Sequence, residues 1–195
     1  IGIEIEDENM IKIGKMAVNY FLQEQKDDGS VKYWGDENKW NLKFSRSSID
    51  HYHIGFEIRC LWNIALMTCN STIKNAYKKH YEYYKKCLMD PPRIFLFPYK
   101  QYPINIHACS EAILCNSIIE GGKYTKEIWM EKMVEWINSK MLDDDGLYIF
   151  EIRNVLGYKI KHKYKYFRWS QAWMFLALSE YLLAKGFKDE KNCCC

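Results

Sequence analysis

Three stretches of the chain carry apolar residues at a 3.6-residue period with a wet face opposite. Residues 9–25 place Met10, Ile13, Ala17 and Tyr20 on one side. Residues 71–89 place Ile73, Ala76, Tyr77, Tyr84, Cys87 and Leu88 on one side, against Lys74, Lys78, Lys79, Glu82, Lys85 and Lys86 on the other. Residues 125–141 carry Ile128, Trp129, Met133, Trp136 and Ile137. Such stripes predict outer helices that bury one face. Three further stretches, 50–68, 103–119 and 167–184, are apolar nearly all round, the pattern of helices buried on most sides. The two kinds alternate along the chain, which predicts one helical hairpin per repeat of roughly 55–65 residues.

The connections refine this plan. QKDDGSVKYW at 25–34 and MLDDDGLYIF at 141–150 end outer helices in Asp-Gly turns, where glycine reaches positive φ without strain. The alternating aromatic and polar residues after each turn predict a short extended segment. DPPRIFLFPYKQYP at 90–103 is held extended by its prolines. The 26–49 and 142–166 connections exceed the usual length of structureless loops, so they are expected to cover a site. Inner helices ringed by amphipathic outer ones predict an all-α fold, an α/α toroid of about three helical hairpins. A closed ring needs about six hairpins by this repeat logic, so the expectation is a partial barrel. It would be a single domain over residues 1–192, partnered by a missing N-terminal half of the same toroid.

Composition agrees with a packed domain: 48% of the 195 residues are hydrophobic and 16% aromatic. That is far from the signature of disorder. A formal net charge of +3 with no basic arm argues against a nucleic-acid partner. No apolar run approaches 18 residues, so no membrane span is expected. The opening IGIEIEDEN is neither a signal peptide nor a start methionine, which suggests a portion of a longer product. Cys60, Cys69, Cys87, Cys109 and Cys115 fall in helical patterns without a CxxC pair. They fit free thiols in a reducing compartment, hence a cytoplasmic location. Cys193, Cys194 and Cys195 are expected to be a disordered tail rather than a metal site.

The stretches DGSVKYW, IDHYHIGFEIRCLW, YPINIHACSEAIL, DDDGLYIF and YFRWSQAWMFLAL occur in an order that resembles six-hairpin glycosidase-like proteins of polysaccharide metabolism. The likeness covers nearly the whole chain. It implies an α/α toroid whose carbohydrate ligand sits near the inner-helix N-termini, in a central cleft. Hydrolase, polysaccharide lyase and epimerase chemistries occur on such toroids, as do noncatalytic glycan-binding or scaffolding roles and, further off, terpenoid cyclase-like chemistry. Fold-level likeness does not choose among them.

Candidate residues follow from aligning the inner-helix starts. The first reads HIGFE, His53 to Glu57; the second reads HACSE, His107 to Glu111; the third has Gln171 in place of the acid. A spacing of four puts His and Glu on one helix face, one turn apart. As catalysts, each carboxylate would raise its histidine's pKa and fix a tautomer for acid–base work. As structure, each pair would only satisfy its own polar groups inside the fold. Gly55 fits either close approach of another backbone or a ligand, or packing relief.

Asp50 belongs to the first turn after Ser47 and Ser48, with Ser48 a natural cap. It could instead serve as a glycosidase acid, since such enzymes use two carboxylates about 5–10 Å apart. His51 and His53 point different ways on a helix, and no metal-ligand spacing occurs, so no metal is expected. A lyase or epimerase would use His107 as base, Tyr52 or Tyr102 as proton donor, and Arg168 with Asn105 on a uronate carboxylate. Arg168 could equally be stacked among Tyr166, Trp169 and Trp173. The aromatics Trp34, Tyr33, Tyr52, Tyr102, Tyr148, Trp169 and Trp173 fit stacking on sugar rings, and core packing would use many of them too. No Gly-rich phosphate loop, serine-nucleophile motif or DxDD-like signature is present, so no cofactor is implied.

Overall fold

The computed structural model describes residues 6–33, 49–121 and 127–191. Its helices are α1 (Glu8–Glu24), α2 (His51–Thr68), α3 (Ser71–Leu88), α4 (Ile106–Glu120), α5 (Glu127–Met141) and α6 (Trp173–Lys191). A π-helical turn, Phe167–Ala172, leads into α6. The strands are β1 (Met89–Asp90), β2 (Arg93–Ile94), β3 (Ile104–Asn105), β4 (Glu151–Val155) and β5 (Tyr158–His162). Trp34, Ser47, Ser48 and Cys193–Cys195 lie outside the described residues.

The expected all-α toroid is not what forms. Among the described residues, five strands in two antiparallel sheets accompany six helices, so the content is mixed. β1 pairs with β2, and the larger sheet runs β3-β4-β5. The 142–166 connection, expected as a long loop with a short extended stretch, holds the β4–β5 hairpin. Leu156 at φ 50° and Gly157 at φ 87° make its two-residue turn. Turns of that hand favour Asn-Gly or Asp-Gly, and a leucine at the first position hides the hairpin from pattern reading. β3 then joins through Ile104 opposite Ile152 and Asn105 opposite Glu151.

α4 is the centre of the fold. Ile106 through Ser117 are all buried, as an all-round apolar pattern demands. α2 and α6 flank it, α5 packs beside it, and β3 meets its N-terminal end. A helix with no wet face must satisfy its polar side chains inside the protein. Glu111 is fully buried and accepts two hydrogen bonds from Arg59 of α2, from Nε at 2.7 Å and Nη2 at 3.0 Å. Asn116 donates to Ala112 O at 2.6 Å, and its Oδ1 accepts from the Tyr81 hydroxyl at 2.5 Å.

Gly55 makes the first of these bonds possible. A β-carbon there would fall 2.3 Å from Glu111 Cγ and 2.6 Å from Oε1. Of the two roles open to Gly55 the packing one is taken up: the space is filled by the Glu111 side chain.

The α2–α3 turn is built locally. Cys69, at φ 51°, ends α2, and the Asn70 side chain caps α3 by accepting from Thr72 N and Ile73 N. The α3 stripe of Ile73, Ala76, Tyr77, Tyr84, Cys87 and Leu88 is buried as its spacing predicts. α1 departs from expectation. Met10, Ile13, Ala17 and Tyr20 are exposed, while Val18 is buried with Phe21 and Leu22 against Leu61, Ala65, Ile73 and Tyr77. α1 carries apolar residues on two faces, and its α2–α3 contact selected the shorter one. α6 also keeps an exposed face, although its pattern is apolar all round.

Ala in place of Gly inside a helix ordinarily adds about 1 kcal/mol. Gly55→Ala is expected to do the opposite, lowering stability by about 2–4 kcal/mol, because the methyl group displaces a buried ion pair. Urea denaturation measures it; an unchanged or raised midpoint would show that Glu111 is not seated against Gly55.

Candidate functional site

The beginnings of α2, α4 and the π-helical turn meet around His107. Asn105 caps α4, its Oδ1 accepting from His107 N at 2.9 Å and Ala108 N at 3.4 Å. This fixes the first turn and carries the His107 ring into an aromatic cage. Tyr52 stacks on it at 4.6 Å and 9° between planes. Phe56 lies at 5.6 Å, Trp169 at 5.3 Å and Trp173 at 4.9 Å. His107 is only 4% exposed, and its Nε2 has no hydrogen-bond partner. Buried polar atoms are rarely left so, and each exception calls for an explanation.

A cavity of about 350 Å³ opens at this ring, lined by Tyr52, Asn105, His107, Phe150, Tyr166 and Trp169. Asn105 Nδ2 points to Glu151 Oε2 at 3.4 Å, and Arg153 holds the other oxygen of Glu151. A larger cavity, about 540 Å³, separates α1 from the α2–α3 turn; its walls include Met10, Ile11, Val18, Leu22, Ile64 and Ile73. It gathers no acid–base pair.

Of the residues expected at a site, Tyr52, Asn105, His107 and Trp169 line the cavity, and Trp173 closes the cage behind His107. The expected His–Glu pairs are not formed. His53 Nδ1 bonds Asp50 Oδ2 at 2.6 Å instead of Glu57. Glu57 turns to His80 Nε2 at 3.0 Å, and His80 Nδ1 donates to Gly29 O at 2.7 Å. His80 thus bridges α2 and the turn at Gly29. Glu111 goes to Arg59, leaving His107 with no carboxylate beneath it. On a helix crowded by neighbours, a tertiary partner outcompeted the one a turn away.

The remaining candidates take structural places. Asp50 is itself the α2 N-cap, accepting from His53 N at 3.0 Å. Gln171 clamps the Tyr148 backbone, accepting from Tyr148 N at 3.0 Å and donating to Tyr148 O at 2.8 Å. Tyr102 packs on the main core. Arg168 is exposed and outside the cavity lining. Phe56, Phe150, Tyr166 and Glu151 were not predicted for the site; the signal for the last three was proximity to the Asp-Gly turn and to FRWSQAW. Among the described residues no group of three or more His, Cys, Asp or Glu is placed to hold a metal. No helix there is long and apolar enough to cross a membrane.

Electrostatics reverse the expected histidine chemistry. Burial, with a lesser push from His53, drops the His107 pKa to about 4, so the ring is neutral near pH 7. Burial drops His51 to about 3; its Nδ1 bonds Phe95 O at 3.0 Å and its Nε2 accepts from the Tyr84 hydroxyl at 2.5 Å. Burial and the nearby Asp50 raise Tyr52, which keeps its proton. Burial lifts Glu111 to about 7 while Arg59 pulls against it.

Compared with family models, curated proteins and solved structures, the chain matches none, and nothing in those comparisons identifies a glycosidase-like family.

A depressed histidine pKa in the fold makes stability depend on pH with a definite sign. Below the ordinary value of 6.5 the unfolded chain takes up protons that folded His107 and His51 refuse. Stability is full above about pH 6.5 and falls toward pH 4, by a few kcal/mol in total. His107→Phe should roughly halve that slope in urea titrations between pH 7 and 5, leaving the His51 share. An unchanged slope would mean that His107 is not held neutral.

Proposed function

We propose that the cavity at His107 binds a saccharide without transforming it. The observation that carries this reading is the buried His107 ring, caged by aromatic faces, with its Nε2 unpartnered. A neutral imidazole offers one hydrogen-bond donor and one acceptor. A sugar ring supplies matching hydroxyls on its rim and apolar C–H faces for aromatic walls. Tyr52, kept protonated, and Asn105 add polar groups on the same side. The volume of about 350 Å³ is within the usual range for small-ligand sites.

Binding is favoured over hydrolysis by where the acids are. Glycoside hydrolysis in its common forms needs two carboxylates flanking the bond. Asp50, Glu57 and Glu111 are each engaged by a named partner, and none lines the cavity. Glu151 lies behind Asn105, held by Arg153. A proton-abstracting base is also poorly served by a histidine whose pKa is about 4.

Titration with a panel of neutral and uronate-containing oligosaccharides, read by calorimetry and by tryptophan fluorescence, tests the proposal. Binding should appear for at least one saccharide. Trp169→Ala and His107→Phe should each weaken it by about tenfold, ~1.4 kcal/mol, with an unchanged circular dichroism spectrum. No binding across the panel, or binding indifferent to both variants, would refute it. Product formation would replace binding by catalysis.

A further inference from the structure

We infer that two copies of this chain associate through the exposed face of α6, paired antiparallel about a two-fold axis near Ser179. α6 buries one side against α4, with Met174 and Ala177 at the contact. The opposite side leaves Phe175 77%, Leu176 41%, Leu182 64% and Leu183 53% exposed. Each lies three or four residues from Ser179, and Phe175 with Leu182 and Leu176 with Leu183 are seven apart, so the four flank one stripe through Ser179 on a single helix face. Together they expose on the order of 400 Å² of apolar surface, comparable to the largest patch on a typical monomer.

The sizes along this stripe say what covers it. From Ala172 to Gly186 the order is small, two large, small, two large, small: Ala172, Phe175 with Leu176, Ser179, Leu182 with Leu183, Gly186. The order is the same read from either end. A two-fold contact places each residue of the patch against another of the same patch, so only a self-complementary surface closes it. With the axis at Ser179, Ala172 meets the partner's Gly186, Phe175 meets the partner's Leu183, and Leu176 meets the partner's Leu182. Gly186 has nothing within 4 Å of where a β-carbon would stand, so a partner helix can approach there. Ser179 at the axis already donates to Phe175 O at 2.8 Å and brings no unpaired hydrogen into the contact. Lys185, on the flank, is paired with Glu131 at 2.5 Å.

Area supports the same occupant. A stable interface takes about 800 Å² from each partner, and the stripe's four large side chains supply roughly half. Exposed Ala172, Gly186 and the adjoining Phe167, 78% exposed, extend the patch toward that value. The exposed face of α1, with Met10, Ile13 and Tyr20, lacks the mirrored order. A contact from α1 of one copy to α6 of the next would propagate as an open chain rather than close.

Sedimentation velocity of the whole chain, from low micromolar to several hundred micromolar, separates the outcomes. A monomer–dimer equilibrium that stops at the dimer is expected. Phe175→Glu and Leu183→Glu should each weaken it by about tenfold or more. Because both positions are exposed, thermal midpoint and circular dichroism should stay as in the parent chain. A monomer at every concentration would overturn the inference. So would a dimer untouched by both variants, growth beyond the dimer, or binding to phosphatidylcholine vesicles by a chain that remains monomeric.

Discussion

A helix without a wet face governs this protein. α4 runs through the middle of the structure carrying Asn105 at its cap and His107, Ser110, Glu111, Asn116 and Ser117 along its length, all buried. Polar groups there need partners inside the protein, and neighbouring elements supply several of them. α2 brings Arg59 to Glu111 over the bare backbone of Gly55. α3 brings Tyr81 to Asn116. Ser110 turns back to His107 O. A buried pair of this kind adds little net stability but is costly to break, so it fixes how the helices sit. His107 Nε2 and Ser117 Oγ are left out of this scheme, and of the two residues His107 is the one that lines the cavity.

Much of the helical layout was legible in the chain. Periodicity located all six helices, and the α3 stripe was read residue by residue. The toroid was a step too far. Periodicity reports which faces are apolar, not how helices are connected or what fills the connections. The β4–β5 hairpin escaped because its turn uses Leu156 at a positive φ instead of an expected Asn or Gly. α1 escaped because two of its faces are apolar, and local pattern cannot say which of them meets α2 and α3.

The site was half legible for a related reason. Recurrence of His and Glu at a spacing of four pointed to the right helix starts and the wrong bonds. Intrahelical spacing makes a contact available, whereas burial decides whether a better one exists. Glu111 is fully enclosed and needs a partner, which Arg59 supplies; Glu57 is partly exposed and finds His80 across the α2–α3 interface. The consequence runs against the first expectation. Stripped of its carboxylate, His107 becomes a neutral ring.

The cavity is built from two materials. Tyr52, Asn105 and His107 stand on helices and a strand locked into the core, so that wall is rigid. Phe150 and Tyr166 flank the β4–β5 hairpin, whose base is tied down by Lys163 and Lys165 reaching the exposed turn that holds Asp143 and Asp145. Those lysines hold Asp143 at about 2 and Asp145 below its usual range, so the ties persist well into acid. Dissolved salt reaches them readily, as it does any solvent-facing ion pair. The outer wall is also tied to the core, by the Ile106 N to Phe150 O hydrogen bond at 3.1 Å and by β3–β4 pairing, while the lysine ties at the hairpin's base face the medium. A ligand entering here would meet a preformed site, and the contacts that salt can weaken lie outside its lining.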